Sequence, residues 1–253
     1  MSKRNMEKSR RDFLIKGMVV VPGLALSGVA LSTLASPLPA EGKTGKAEPL
    51  SAPDLPVRDY LPSFFNQEEF NFIKAAVARL IPQDHLGPGA LEAGVPEFID
   101  RQLQTPYGVG ANWYMQGPFQ PDAPSALGYQ MPLKPVEIYR LGIAEANTFA
   151  RKKYGDVFYK LSPAQQDELL ALMEAGKADS EKGDSAKLCA AFFATLLQNT
   201  REGFFSDPIH GGNKGLAGWK LIGFPGARAD FMDWVESSEK YPFPPVSISG
   251  ERG

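Results

Sequence analysis

The sequence predicts an all-α protein: a compact helical domain with long irregular glycine- and proline-rich loops, preceded by a signal segment and a linker. Three observations carry that prediction. After residue 60, apolar side chains return at three- and four-residue intervals in one stretch after another, the period of a helix face. Over the same span no run of alternating β-branched residues appears, so strands are not expected. Glycine and proline together number 47 of 253 residues, which calls for many turns and long connections between the periodic stretches.

The chain divides by pattern into residues 1–35, 36–62 and 63–253. The first part opens with Ser9, Arg10, Arg11, Asp12, Phe13, Leu14, Ile15 and Lys16, which matches the twin-arginine export consensus at Ser9, Arg10, Arg11, Phe13, Leu14 and Lys16. A charge-free stretch follows from Gly17 to Ala35, tempered by Pro22, Gly23, Ser27 and Gly28 as an export h-region is. As a helix its 19 residues would reach about 29 Å, so retention as an anchor is possible in length. Cleavage is expected after Ala35 or Ala40. Residues 36–62 are rich in Pro, Ala, Glu and Lys without apolar period and read as a solvated linker.

The folded part begins with Asn66 as a helix cap and Glu69 placed to complete a capping box. Phe70, Ile73, Val77 and Leu80 then share a face, and the helix should end at Ile81 because Pro82 disfavours helical geometry before it. A second helix takes Pro96 in its first turn and turns Phe98, Ile99 and Leu103 inward. Residues 105–133 have no period but carry Tyr107, Trp113, Tyr114, Phe119 and Tyr129, more aromatic area than a solvated linker needs. A third helix spans Pro135 to about Tyr154. Ser162, Pro163 and Gln165 start a fourth, leading into Leu169, Leu170, Leu172 and Met173. After a polar break at 176–184, Leu188, Phe192, Thr195, Leu196 and Asn199 repeat with helical spacing in a fifth.

Composition narrows the function. Residues 1–35 hold six basic and two acidic groups, which leaves 21 basic against 27 acidic in the remainder, a body that repels phosphate backbones and makes nucleic acid an improbable partner. The single cysteine, Cys189, excludes an internal disulfide and reads as a core thiol. No haem-attachment motif, iron–sulfur cysteine set or dinucleotide-binding glycine motif is present. His85 and His210 lack partners at ligand spacing, and Asp100, Arg101 and Glu168 read as solvated helical positions. No catalytic constellation and no cofactor site emerges in this chain. A chain that bears a signal for folded cargo, yet has no redox group, is expected to travel with a partner.

The most distinctive stretch is Thr200-Arg201-Glu202-Gly203-Phe204-Phe205-Ser206-Asp207-Pro208-Ile209-His210-Gly211-Gly212-Asn213, continued by Ala217-Gly218-Trp219-Lys220 and Gly223-Phe224-Pro225-Gly226. Together with Phe64-Phe65, Arg79-Leu80-Ile81-Pro82, Phe98 to Leu103 and Gln116-Gly117-Pro118-Phe119, it resembles the signature of the small (gamma) subunit family of membrane-bound gluconate 2-dehydrogenase, over about residues 64–226. The resemblance implies a non-catalytic subunit at the periplasmic face of the inner membrane. It would support assembly and export, through the twin-arginine translocon, of a large FAD-containing subunit, beside a cytochrome subunit that carries haem c. Related small subunits serve glucose, sorbitol, fructose and 2-ketogluconate enzymes, so the substrate stays open. A stand-alone exported sugar-binding protein, using the aromatic loop at 105–133, is the alternative.

The candidate subunit interface is Phe204, Phe205, Asp207, Pro208, His210, Gly211, Gly212, Asn213, Trp219 and Lys220. The glycines allow close approach, Asp207-Pro208 stiffens a turn, and the aromatics supply apolar area. The stretch either folds back on its own helices or clamps a partner. As a clamp, Phe205→Ala or Trp219→Ala would cost roughly 2–4 kcal/mol of association.

Overall fold

The computed structural model describes residues 60–120, 123–178, 185–239 and 241–253. The expected signal segment and the linker through residue 59 lie outside them. The described residues are helical: α1 Gln67–Leu80, α2 Val95–Gln102, α3 Pro135–Tyr154, α4 Pro163–Glu174, α5 Ser185–Phe205 and α6 Ala217–Ile222, with short 3-10 turns between. Among them no strand forms, only isolated bridges, and no helix is long and apolar enough to cross a membrane.

Local chemistry places the helix ends. Asn66 Oδ1 accepts from Glu69 N at 2.9 Å while Glu69 Oε2 accepts from Asn66 N at 3.0 Å, the reciprocal box that starts α1. Ser162 and Gln165 do the same for α4. Gly155, in the left-handed region at φ 88°, ends α3 behind Arg151, Lys152 and Lys153, whose charges suit the negative helix terminus.

α5 forms the axis of the fold and packs against α1, α2, α3, α4 and α6. Its buried face runs Cys189, Phe192, Phe193, Leu196, Asn199, Thr200, Gly203 and Phe204, so Cys189 is a core thiol. Phe72 of α1, absent from the expected stripe, is wholly buried and stacks on Phe158 at 4.5 Å and Phe192 at 5.8 Å. The apolar face of α1 is wider than one stripe because helices and a 3-10 turn cover it from two sides.

The α3–α5 contact depends on one small residue. A Cβ on Gly142 would lie 2.3 Å from Phe192 Cγ, well inside van der Waals contact. Gly142→Ala is therefore expected to lose roughly 2 kcal/mol and lower the melting midpoint by about 4–8 °C. An unchanged midpoint in a thermal melt would show that α3 and α5 part without cost.

α2 departs most from expectation. Every residue from Val95 to Asp100 is buried, and Asp100, expected in solvent, has no exposed surface. Its carboxylate collects the chain that enters the folded body. Oδ2 accepts from the Tyr60 hydroxyl at 2.7 Å, Ser63 N at 2.9 Å and the Ser63 hydroxyl at 3.2 Å. Oδ1 accepts from Phe64 N at 3.1 Å and Phe65 N at 2.9 Å. Burial alone would raise this carboxyl's pKa, but the donors outweigh it and hold it below the usual value. Arg101 and Glu168 are exposed, as expected.

Candidate functional site

The distinctive stretch begins inside α5, whose last residues are Gly203, Phe204 and Phe205. Phe204 has no exposed surface and meets Phe205 edge-on at 5.2 Å. Gly203 exists because Phe98 of α2 occupies its side-chain space: a Cβ there would sit 2.7 Å from Phe98 Cδ1. Asp207 then caps a 3-10 turn at Pro208–His210, its Oδ1 accepting from Ile209 N at 3.1 Å. Its Oδ2 accepts from Ile248 N at 2.8 Å, which ties the C-terminal segment to the same turn.

Asn213 holds the next bend. It sits in the left-handed region at φ 48° and is fully buried. Its Nδ2 donates to Ser206 O at 2.8 Å and its Oδ1 accepts from Gly218 N at 2.7 Å, so one side chain clips the end of α5 to the start of α6. Gly212 and Gly218 let these backbones touch: a Cβ would fall 2.2 Å from Gly203 O and 2.0 Å from Phe204 O, respectively.

The stretch is also pinned sideways to α2. Lys214 N donates to Ala93 O at 2.9 Å, and the Lys214 ammonium pairs with Glu97, which Arg101 also engages. Trp219 keeps only 6% of its surface; its Nε1 donates to Phe205 O at 2.7 Å and its ring meets Phe224 at 5.0 Å.

The structure therefore brings the ten predicted residues together, but mostly faces them inward. Phe204, Asp207, Gly211, Gly212, Asn213 and Trp219 are buried by this chain itself, Phe205 and Pro208 are half-buried, and His210 and Lys220 are exposed. Truncating Trp219 would thus test the fold before it tested docking. The glycine and aromatic pattern identified a close-packed knot; which side of it faced out depended on α2 and the C-terminal segment, remote in sequence.

What the knot and the C-terminal segment present outward has no periodic pattern in the sequence. Ile209, Ile222, Phe224, Met232, Val235, Phe243 and Ile248 are all exposed apolar residues, from 45% to 75% of their full surface. The available signal was the density of apolar residues after 220, where no helical period organises them.

The aromatic loop packs on itself. Trp113 stacks on Tyr129 at 4.5 Å and meets Tyr107 edge-on at 6.0 Å, while the Tyr107 and Tyr139 hydroxyls both donate to Asn199 Oδ1, at 3.0 and 2.8 Å. Burial pushes Tyr107 up to about 12 and Tyr139 well above its ordinary value, so both stay neutral donors. Among the described residues no group of three His, Cys, Asp or Glu side chains could hold a metal ion.

Compared with known proteins, residues 67–226 match the family model described as gluconate 2-dehydrogenase subunit 3. No curated protein and no solved structure matches the chain.

Proposed function

This chain belongs to the gluconate 2-dehydrogenase subunit 3 family, and from that premise we propose that it is the non-catalytic small subunit of a flavin-dependent dehydrogenase complex. In this reading it stabilises an FAD-containing large subunit and carries it across the inner membrane, where a haem c cytochrome subunit accepts the electrons. The substrate class is a sugar acid such as gluconate, or a related sugar.

The observation that carries the reading is the family match, which spans the helical core and the glycine-rich knot through residue 226. Export is supported by the sequence alone: Arg10 and Arg11, followed by Phe13, Leu14 and Lys16 and a charge-free stretch. The buried orientation of the knot supports a chain whose family signature builds a rigid body rather than an open cleft.

The test is to replace both arginines by lysine in cells that make the whole complex. Dehydrogenase activity is expected to disappear from the periplasm, with the large subunit stranded in the cytoplasm. Full periplasmic activity in the double variant would remove the export role.

A further inference from the structure

Beyond residue 222 the chain makes little regular structure, yet among the described residues this C-terminal part carries much of the exposed apolar surface. Two groups of residues are joined there. Ile209 and Ile248 flank Asp207, whose two carboxylate oxygens accept from their backbone N–H groups. Ile222 and Val235 line a groove with Phe231, Trp234 and Tyr241. The groups are tied through backbone pairing, with Ala227 N donating to Val246 O at 2.8 Å and Val246 N to Pro225 O at 3.1 Å. The groove's aromatic wall is braced internally: Tyr241 meets Phe231 at 5.2 Å, Trp234 at 5.8 Å and Phe243 at 5.6 Å, each edge-on. A face held this firmly is already shaped for a partner, with little side-chain ordering left to pay on docking.

Its size and its charge indicate which partner. Seven apolar side chains that each keep 45% to 75% of their surface stand along it, and one partner's share of an interface of standard size is about 800 Å². The rim is acidic. Arg228 pairs with Asp230 at 2.8 Å and lies over the Tyr241 and Phe243 rings. Asp233, Glu236 and Glu239 follow, exposed, with no cation in the sequence between Arg228 and Lys240; Lys220 stands on the α6 side of the groove. An anionic lipid surface would repel that edge.

We infer that the face formed by residues 209–239 and 241–248 is the docking surface for the flavin-containing large subunit, which presents an apolar patch with lysine and arginine opposite the acidic edge. This rests on the reading of the chain as that subunit's partner. The face straddles the end of the family match: Ile209, Ile222 and Phe224 lie within it and Met232, Val235 and Phe243 beyond it.

The experiment co-expresses the full tagged chain with the large subunit and measures flavin recovered per tagged chain. Ile222→Glu and Val235→Glu are compared with Leu86→Glu and Leu141→Glu, exposed apolar positions elsewhere, and with Val109→Glu on the aromatic loop. The two face variants are expected to lose flavin recovery by about tenfold or more, with unchanged melting midpoints, while the other variants stay within about twofold of the parent. Glu236→Lys should weaken recovery further at low salt than at high salt. Parent-level recovery in both face variants would overturn the face while leaving the subunit reading intact. Loss confined to Val109→Glu would move the docking surface to the loop and overturn it equally. If the parent chain itself recovers no flavoprotein, the subunit reading fails, and the face with it. A homodimer in light scattering that Ile222→Glu dissolves, or binding to anionic vesicles that it abolishes, would give the face to another occupant and overturn the inference.

Discussion

Asp100→Ala is expected to destabilise the folded body by about 4 kcal/mol, read as a shift in urea or thermal unfolding. The carboxylate is buried and accepts from the N–H groups of Ser63, Phe64 and Phe65 and from the hydroxyls of Tyr60 and Ser63. Truncation removes the acceptor and leaves those donors facing a cavity. Asp100→Asn keeps the shape and one acceptor oxygen but turns an amide N–H₂ toward other donors, so it should cost about half as much. The segment from Tyr60 to Phe65 should loosen first, because its polar restraints then reduce to Arg140, bonded to Phe64 O at 2.7 Å and lying over the Phe64 ring, and Gln104, whose Nε2 donates to Ser63 Oγ at 2.6 Å. Limited proteolysis should therefore cut the variant near residue 60 under conditions that spare the parent.

The pH dependence follows from the direction of the shift. The folded-state pKa of Asp100 is below its ordinary value, because the donors outweigh the burial that would raise it. The carboxylate's contribution is thus complete above the unfolded value near 4 and fades as pH falls through the lower folded value. The stability gap between the parent and Asp100→Asn should be constant from neutral pH to about 5 and close below about 4. A gap that persists undiminished in acid would mean that the charge of Asp100 contributes nothing.

Asn213→Ala is expected to cost about 3 kcal/mol. Two buried partners, Ser206 O and Gly218 N, lose their hydrogen bonds at once, and alanine must occupy the left-handed conformation that asparagine tolerates at φ 48°. The two causes can be separated. Asn213→Gly relieves the backbone cost and should recover about 1 kcal/mol while leaving both groups unpaired. Asn213→Asp keeps the acceptor for Gly218 N but sets a second oxygen against Ser206 O, so it should be no better than alanine. If glycine restored full stability, the clip between α5 and α6 would be dispensable. Because α6 carries Ile222, the same alanine variant should also lose flavin recovery, in this case together with a lowered melting midpoint, which the surface variants do not show.

The helices could be read from the chain because their ends are set by neighbours within four residues. Asn66 with Glu69, Ser162 with Gln165, and Pro82 after Ile81 act before any tertiary contact forms. The all-α class and the order of the helices follow from the same short-range patterns, and the family resemblance rests on blocks of residues in a fixed order. What these patterns did not carry was the direction in which particular side chains face. Asp100 looked solvated because its donors stand 35 to 40 residues earlier in the chain. The knot at 203–219 looked like a clamp because its aromatics and glycines are those of any close contact. Folding decided that the contact is with its own helices, α2 and α5 for the glycines and Phe204, and the end of α5 and start of α6 for Asn213. The uncovered apolar face lies instead on residues whose spacing has no period. Capping and periodicity are local energies written in consecutive residues; burial is a property of the whole packed chain, and only the closed tertiary structure assigns it.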